Sequence, residues 1–230
     1  MVREVVFDTE TTGFYYDKGD RLIEIGAVEL IDHVQTGVIF HEYINPEREV
    51  PEEAVKVHGL TYDFLKDYPT FDKIADKWLD FIGDAKLVAH NASFDMNFVN
   101  YELKQISKPE ISWEGVIDTL EIARNMFPGA RCSLDALCRR FEIDNSARTY
   151  HGALLDAQLL AEVYLELLGG KEPTLIFGGE KKKNSSFSNA ENTFLNKQYR
   201  APRVFDFGDD IDDNHKKFLD ENVKNALWKA

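Results

Sequence analysis

Apolar positions change period several times along this chain, and each change marks an element. Glu4-Val5-Val6-Phe7 reads as a short buried strand. Leu22 to Leu30 (LIEIGAVEL) alternates as a second strand, and Gly37 to Ile44 makes a third. Their close spacing predicts an antiparallel meander. From Phe71 the period becomes helical, with Phe71, Ile74, Ala75, Trp78, Leu79 and Ile82 on one face and Thr70 as N-cap. Leu87-Val88-Ala89 is a fourth strand, and Ser93 is placed to cap a helix carrying Phe94, Phe98 and Tyr101. Val116-Ile117 is a fifth strand, leading into a helix through Ile122 and Met126. Ser133 caps a helix with Leu134, Leu137 and Phe141, and Ala153 to Leu168 forms a long apolar helix. Strands first, then strands alternating with helices, predict an α/β fold with a mixed sheet.

The pattern stops at Gly169-Gly170, and the charge changes there too. Residues 1–170 hold 16 basic and 31 acidic side chains, whereas residues 171–230 hold 11 and 10. The second segment contains Lys181-Lys182-Lys183 and a polar stretch from Asn184 to Asn192. It reads as a flexible tail with short binding segments, and residues 1–170 as the domain. The whole chain has 230 residues, 43% hydrophobic, with a net charge of −14. That composition excludes wholesale disorder. No apolar run reaches the roughly 18 residues of a membrane span. The N-terminus reads as strand rather than signal peptide, and two cysteines, Cys132 and Cys138, make neither a disulfide framework nor a zinc site. The expectation is a reducing cytoplasm. An acidic chain repels nucleic acid, so a nucleic-acid substrate requires local, metal-assisted or partner-assisted contact.

Carboxylates carry the candidate chemistry. Asp8 and Glu10 follow the first strand at i, i+2, which in extended chain puts both on one side roughly 6–7 Å apart. Two carboxylates so placed call for a cation or a proton between them, and oxygen ligands favour Mg²⁺ or Mn²⁺. The alternative is a solvated turn. Asp95 falls in the first turn of a helix, where compensation of the helix dipole also accounts for it. Asp156 lies early in an apolar helix beside Leu154, Leu155, Leu159 and Leu160, and a carboxylate there needs a partner. His151 precedes it by five residues and is either structural or a general base near neutral pH.

The order of these residues is more specific than any one of them. FDTETTG (7–13), His58-Gly59-Leu60, LVAHNASFDMNF (87–98) and HGALLD (151–156) together resemble the ordered motifs of the DEDDh exonucleases. The resemblance spans essentially all of residues 1–170. It implies a ribonuclease H-like fold, a five-stranded mixed sheet flanked by helices. It also implies two-metal 3′→5′ hydrolysis of a terminal phosphodiester at a single-stranded 3′ end of DNA. Asp8 would bridge two divalent cations, Glu10 and Asp156 complete one shell, Asp95 act through water on the other, and His151 serve as base. Thr9 and Thr11 would hold the terminal nucleotide through their backbone groups. His58 would stack or hydrogen-bond near the terminal base, with a structural role equally open. Asp118 falls near such a site without being a direct ligand. His90 reads as structural, and Phe94 and Phe98 as core.

Within the family, the resemblance is strongest to the proofreading exonucleases of bacterial replicative polymerases. This implies docking of the tail to a polymerase catalytic subunit. Ile211, Phe218, Leu219, Val223 and Leu227 recur near helical spacing before Trp228, a segment suited to folding on a partner. Residues 172–177 (EPTLIF) resemble a sliding-clamp peptide through Leu175 and Phe177, with Glu172 where that motif has Gln. Folding back onto the core is the alternative for that stretch. Two rival functions remain: a free-standing DEDDh exonuclease acting on RNA or single-stranded DNA, and a non-catalytic module of a polymerase assembly.

Overall fold

The first strand runs further than its apolar residues do. In the computed structural model, which describes residues 1–146, 148–169 and 217, β1 spans Arg3–Thr11. Asp8, Thr9, Glu10 and Thr11 therefore lie inside the strand and not after it. Pairing with one neighbour makes this extension: β2 (Leu22–Ile31) runs antiparallel to β1 along its whole length, Asp8 opposite Gly26 and Glu10 opposite Glu24. β3 (Val34–Tyr43) completes the expected meander. β4 (Lys86–Ala89) pairs parallel to β1, and β5 (Ile117–Asp118) parallel to β4. The sheet order is β3-β2-β1-β4-β5, five strands and mixed, as expected.

The helices cover both faces. α3 (Phe71–Ile82) and α4 (Ala92–Gln105) pack on one side, where Phe7 and Phe40 meet the fully buried Trp78 at ring distances of 5.6 and 5.2 Å. α5 (Thr119–Met126), α6 (Leu134–Arg140) and α7 (Ala153–Leu167) cover the other side around Val6, Val28 and Val88. Alternation along β1 sends Glu4, Val6, Asp8 and Glu10 toward α7, and the Tyr164 hydroxyl of that helix donates to Glu4 at 2.8 Å.

Local signals explain most boundaries. Ser133 accepts from the Ala136 N–H as the expected cap of α6. Thr70 holds the N-cap position of α3, but its hydroxyl turns to the Asp72 carboxylate and not to a backbone N–H. Ser93 is not a cap: α4 begins two residues earlier than that cap would start it, after Asn91 with φ 66°, a left-handed conformation that Asn tolerates. Two short helices carry no periodic apolar signal, α1 (Glu52–His58) and α2 (Tyr62–Leu65). Gly26 lets α7 approach the sheet. A Cβ there would overlap the backbone of Ala153 and Leu154, so the first turn of α7 rests directly on β2 beside Asp8.

Candidate active site

The carboxyl ends of β1, β4 and β5 open into a cavity of about 580 Å³, the usual place for a site in an α/β sheet. Asp8 and Glu10 reach it from β1, Asp95 from the first turn of α4, and Asp156 from the first turn of α7. Asp95 and Asp156 are buried, 3% and 2% exposed. All four carboxylates predicted from sequence are thus brought to one place, together with His151 on the loop before α7.

Thr9 points to the opposite side of β1 from Asp8, and its hydroxyl donates to Asp95 Oδ1 at 2.7 Å. The Thr11 hydroxyl donates to the Gly13 carbonyl at 2.6 Å. His58, the last residue of α1, is buried on the cavity wall. Its Nδ1 accepts from the Leu60 N–H at 3.0 Å, so the neutral ring carries its proton on Nε2. The Thr11 carbonyl favours that proton, although Nε2 closes no hydrogen bond of good geometry. The His151 N–H donates to the Val57 carbonyl at 3.1 Å, which ties the His151 loop to α1. His90 lines the cavity as well, with its Nδ1 2.9 Å from the Thr119 hydroxyl. Asp118 caps α5 through the Leu120 N–H and also accepts from the Asn91 N–H.

One expectation changes and another is filled. Phe98 is core, but Phe94 is only partly buried and lines the cavity, edge-on to Phe14. Phe94 lies at the edge of that core, packed against it on one side and facing the cavity on the other. Phe14 itself is 77% exposed at the cavity mouth beside Tyr15. The partner that Asp156 requires is Arg148, which sequence reading did not identify. Arg148 Nε and Nη2 donate to the two oxygens of Asp156 at 2.5 and 2.6 Å, and Nη1 donates to Asp135 at 2.7 Å. Nη2 also lies 2.9 Å from His151 Nδ1. Leu175, Phe177, Phe218, Leu227 and Trp228, with the polymerase and clamp contacts expected of them, lie outside the described residues.

Crowding of acids sets the electrostatics. Burial, then repulsion from Asp95, Glu10 and Asp156, holds Asp8 well above the usual carboxylate range, with Arg148 opposing. Burial, followed by Asp156, Glu24 and Asp95, pushes Glu10 up to about 8. Burial likewise raises Asp95 to about 7, against the Thr9 hydrogen bond. His151 is lowered by burial and by Arg148, with Asp156 pulling the other way. Glu10, His151 and Asp156 each offer a ligand atom within 4.8 Å of the others. Such a set, with Asp8 and Asp95 adjoining, fits a hard divalent cation that would let the carboxylates ionise together.

This fold, with four carboxylates and a histidine at the strand ends, defines a class. The family model described as Exonuclease matches residues 5–164, and the chain belongs to that family of nucleases. Among solved structures, the nuclease domain of 3′hExo, a DEDDh family member bound to rAMP, superposes with a TM-score of 0.63. It is 18% identical, and the match covers 72% of this chain and 91% of that one. Exonuclease X in complex with 5′ overhanging duplex DNA gives 0.56 at 25% identity, covering 73% and 91%.

Sequence relatives are more particular. A Rickettsia felis protein named DNA polymerase III subunit epsilon is 47% identical over 228 residues, covering 98% of this chain and 99% of its own length. The Escherichia coli protein of the same name is 44% identical over 241 residues, covering 100% and 98%.

Proposed function

We propose that this chain is the proofreading exonuclease of a bacterial DNA polymerase III, removing mispaired nucleotides from the 3′ end of a primer strand. The carrying observation is the extent of its likeness to the epsilon subunits. Those relatives match nearly end to end, whereas the solved nuclease domains cover about three quarters of the chain. The similarity thus continues into residues 171–230, which supports a tail that serves a polymerase partner. Two divalent ions, Mg²⁺ or Mn²⁺, would be held by Asp8, Glu10, Asp156 and, more remotely, Asp95. When bound they neutralise the phosphodiester and make a nucleophile of water.

The protein's own groups do the rest. His151, half-exposed on its loop, accepts the proton of the attacking water, and a base of lowered pKa is available for this at neutral pH. His58 lines the cavity wall, where its ring would pack beside the terminal nucleotide. Thr9 positions Asp95 through its hydroxyl, a more direct role than holding the nucleotide by its backbone. Leu175 and Phe177 would meet the sliding clamp, and Phe218, Leu227 and Trp228 the polymerase catalytic subunit. Location in the cytoplasm follows from that partnership.

The test is copurification with a polymerase III catalytic subunit, followed by excision assays on a 3′-mispaired primer, a single-stranded DNA and an RNA of matched length. Stimulated excision of the mispaired primer is expected. Preference for RNA ends without polymerase binding would replace this reading with a free-standing exonuclease. Polymerase binding without hydrolysis would replace it with an assembly module.

A further inference from the structure

The cavity is lined by seven acidic side chains and, among the described residues, by a single Lys or Arg, which is Arg148. That side chain is only 7% exposed. Its fork is spent on the functional groups themselves: both oxygens of Asp156 and Nδ1 of His151. A histidine nitrogen that accepts from a guanidinium cannot at the same time take a proton from water. Carboxylate oxygens held bidentately have their best lone pairs occupied. In this arrangement one residue covers both a ligand of the proposed metal site and the proposed base.

We propose that Arg148 is the resident counter-cation of the carboxylate cluster, a positioning residue that holds Asp156 and His151 in the metal-free protein and is displaced when metal loads. The inference rests on the metal reading given above. Charge balance supports it. Asp8, Glu10, Asp95 and Asp156 carry four negative charges when ionised. Two divalent ions balance all four, and a guanidinium remaining beside them would be a surplus positive charge in a buried place. The exit is built in, because Nη1 already grips Asp135, a 42% exposed residue in the first turn of α6. Releasing Asp156 and His151 leaves Arg148 anchored at the cavity edge by that second carboxylate.

Competition and bracing predict opposite things for metal affinity, which makes the proposal testable on the full-length chain without measuring turnover. Arg148→Met keeps the bulk and removes the charge, whereas Arg148→Lys keeps a charge but not the fork. Calorimetric titration with Mn²⁺ and thermal melts in chelator are run on the wild type and both variants. Arg148→Met is expected to melt lower in chelator yet bind Mn²⁺ about tenfold or more tightly, since a competing charge a few ångströms away has gone. Arg148→Lys should fall between it and the wild type in both readings. Unchanged or weaker Mn²⁺ binding in both variants would make Arg148 a structural brace and overturn the proposal. Absence of Mn²⁺ binding by the wild type would overturn the metal reading as well, so the two failures are distinct. If Arg148→Met does not fold, the lysine variant decides by the same sign.

Discussion

Two sides of the cavity are built differently. Asp8 and Glu10 stand on a central strand, held at their positions by the β2 ladder, and Asp156 on a helix seated against the sheet at Gly26. His151 and Arg148 stand on an irregular segment between α6 and α7, tied to the rest by the Val57 carbonyl and by carboxylates. Negative charge is held by regular structure that cannot move aside to relieve repulsion. The proposed base and the proposed counter-cation sit where the backbone is free of a ladder. On this reading the sheet fixes where cations are needed, and the loop supplies what changes during a cycle.

The sheet side should fail absolutely. Asp8→Asn, Glu10→Gln and Asp156→Asn are each expected to abolish excision of a 3′-mispaired primer in a gel assay. They should part company in stability. Asp8→Asn relieves crowding among acids, so its metal-free melting temperature should rise. Asp156→Asn leaves the Arg148 guanidinium short of its main partner and should lower it. A common direction for both would mean that Arg148 and the strand carboxylates are not separate systems.

The loop side should fail in rate and spare binding. His151→Ala is expected to lose about 10²–10⁴-fold in single-turnover rate near neutral pH, the usual worth of a general base. Its Mn²⁺ affinity should stay within a few-fold, measured by calorimetry. A rate close to wild type would return His151 to a structural role.

The same division governs what the sequence revealed. The sheet side was legible: the i, i+2 spacing of Asp8 and Glu10, and an acid among leucines at 156, are local patterns with a direct physical meaning. The strand's extension through Thr11 was not, because it comes from pairing with β2 and not from apolar residues. α1 lacks an apolar stripe, yet Pro51 before its start and Gly59 at φ 78° after its end were signals of a short helix. Arg148 was hidden for a different reason. Its bond to Asp156 spans eight residues through a loop, a separation that no helical or strand period brings together. Phe94 misled because its i, i+4 relation to Phe98 identifies the helix face but not where the core stops.

The seat of α7 links the two sides. Gly26→Ala places a methyl group against the Ala153–Leu154 backbone, and since backbone cannot rotate away, the first turn of α7 must lift. Overpacking of this kind costs about 1–3 kcal/mol. A displacement near 1 Å at Asp156 is expected to cost about 10²-fold in excision. Melting temperature and turnover should fall together. A stability loss with normal turnover would show that Asp156 is placed by its ion pair and not by the helix seat.

The smallest expected effect is a slope with pH, and its sign separates the two sides again. In the metal-free protein, Glu10 titrates near 8 instead of 4.5, and Asp95 near 7 instead of 3.8. Folding therefore takes up protons at these groups. Their contribution to stability is full below the unfolded values and is lost as pH rises through the folded ones. His58, His90 and His151 are all lowered from 6.5, so they work the other way, but their contribution is complete once pH passes 6.5. The pairing of Arg3 with Glu29 is fully in place above about pH 4.5 and is lost only as pH falls below it, so it adds no slope here. Above pH 6.5 the buried carboxylates are left alone, and stability in chelator should fall between pH 6.5 and 8.5. Added Mn²⁺ should reverse the slope, because a metal binds the deprotonated cluster and its stabilisation grows as protons leave. Thermal melts at four or five pH values, with chelator and with Mn²⁺, measure both lines. A flat line in chelator would mean that the carboxylates are already ionised at pH 6.5. The strand side would then be as adaptable as the loop.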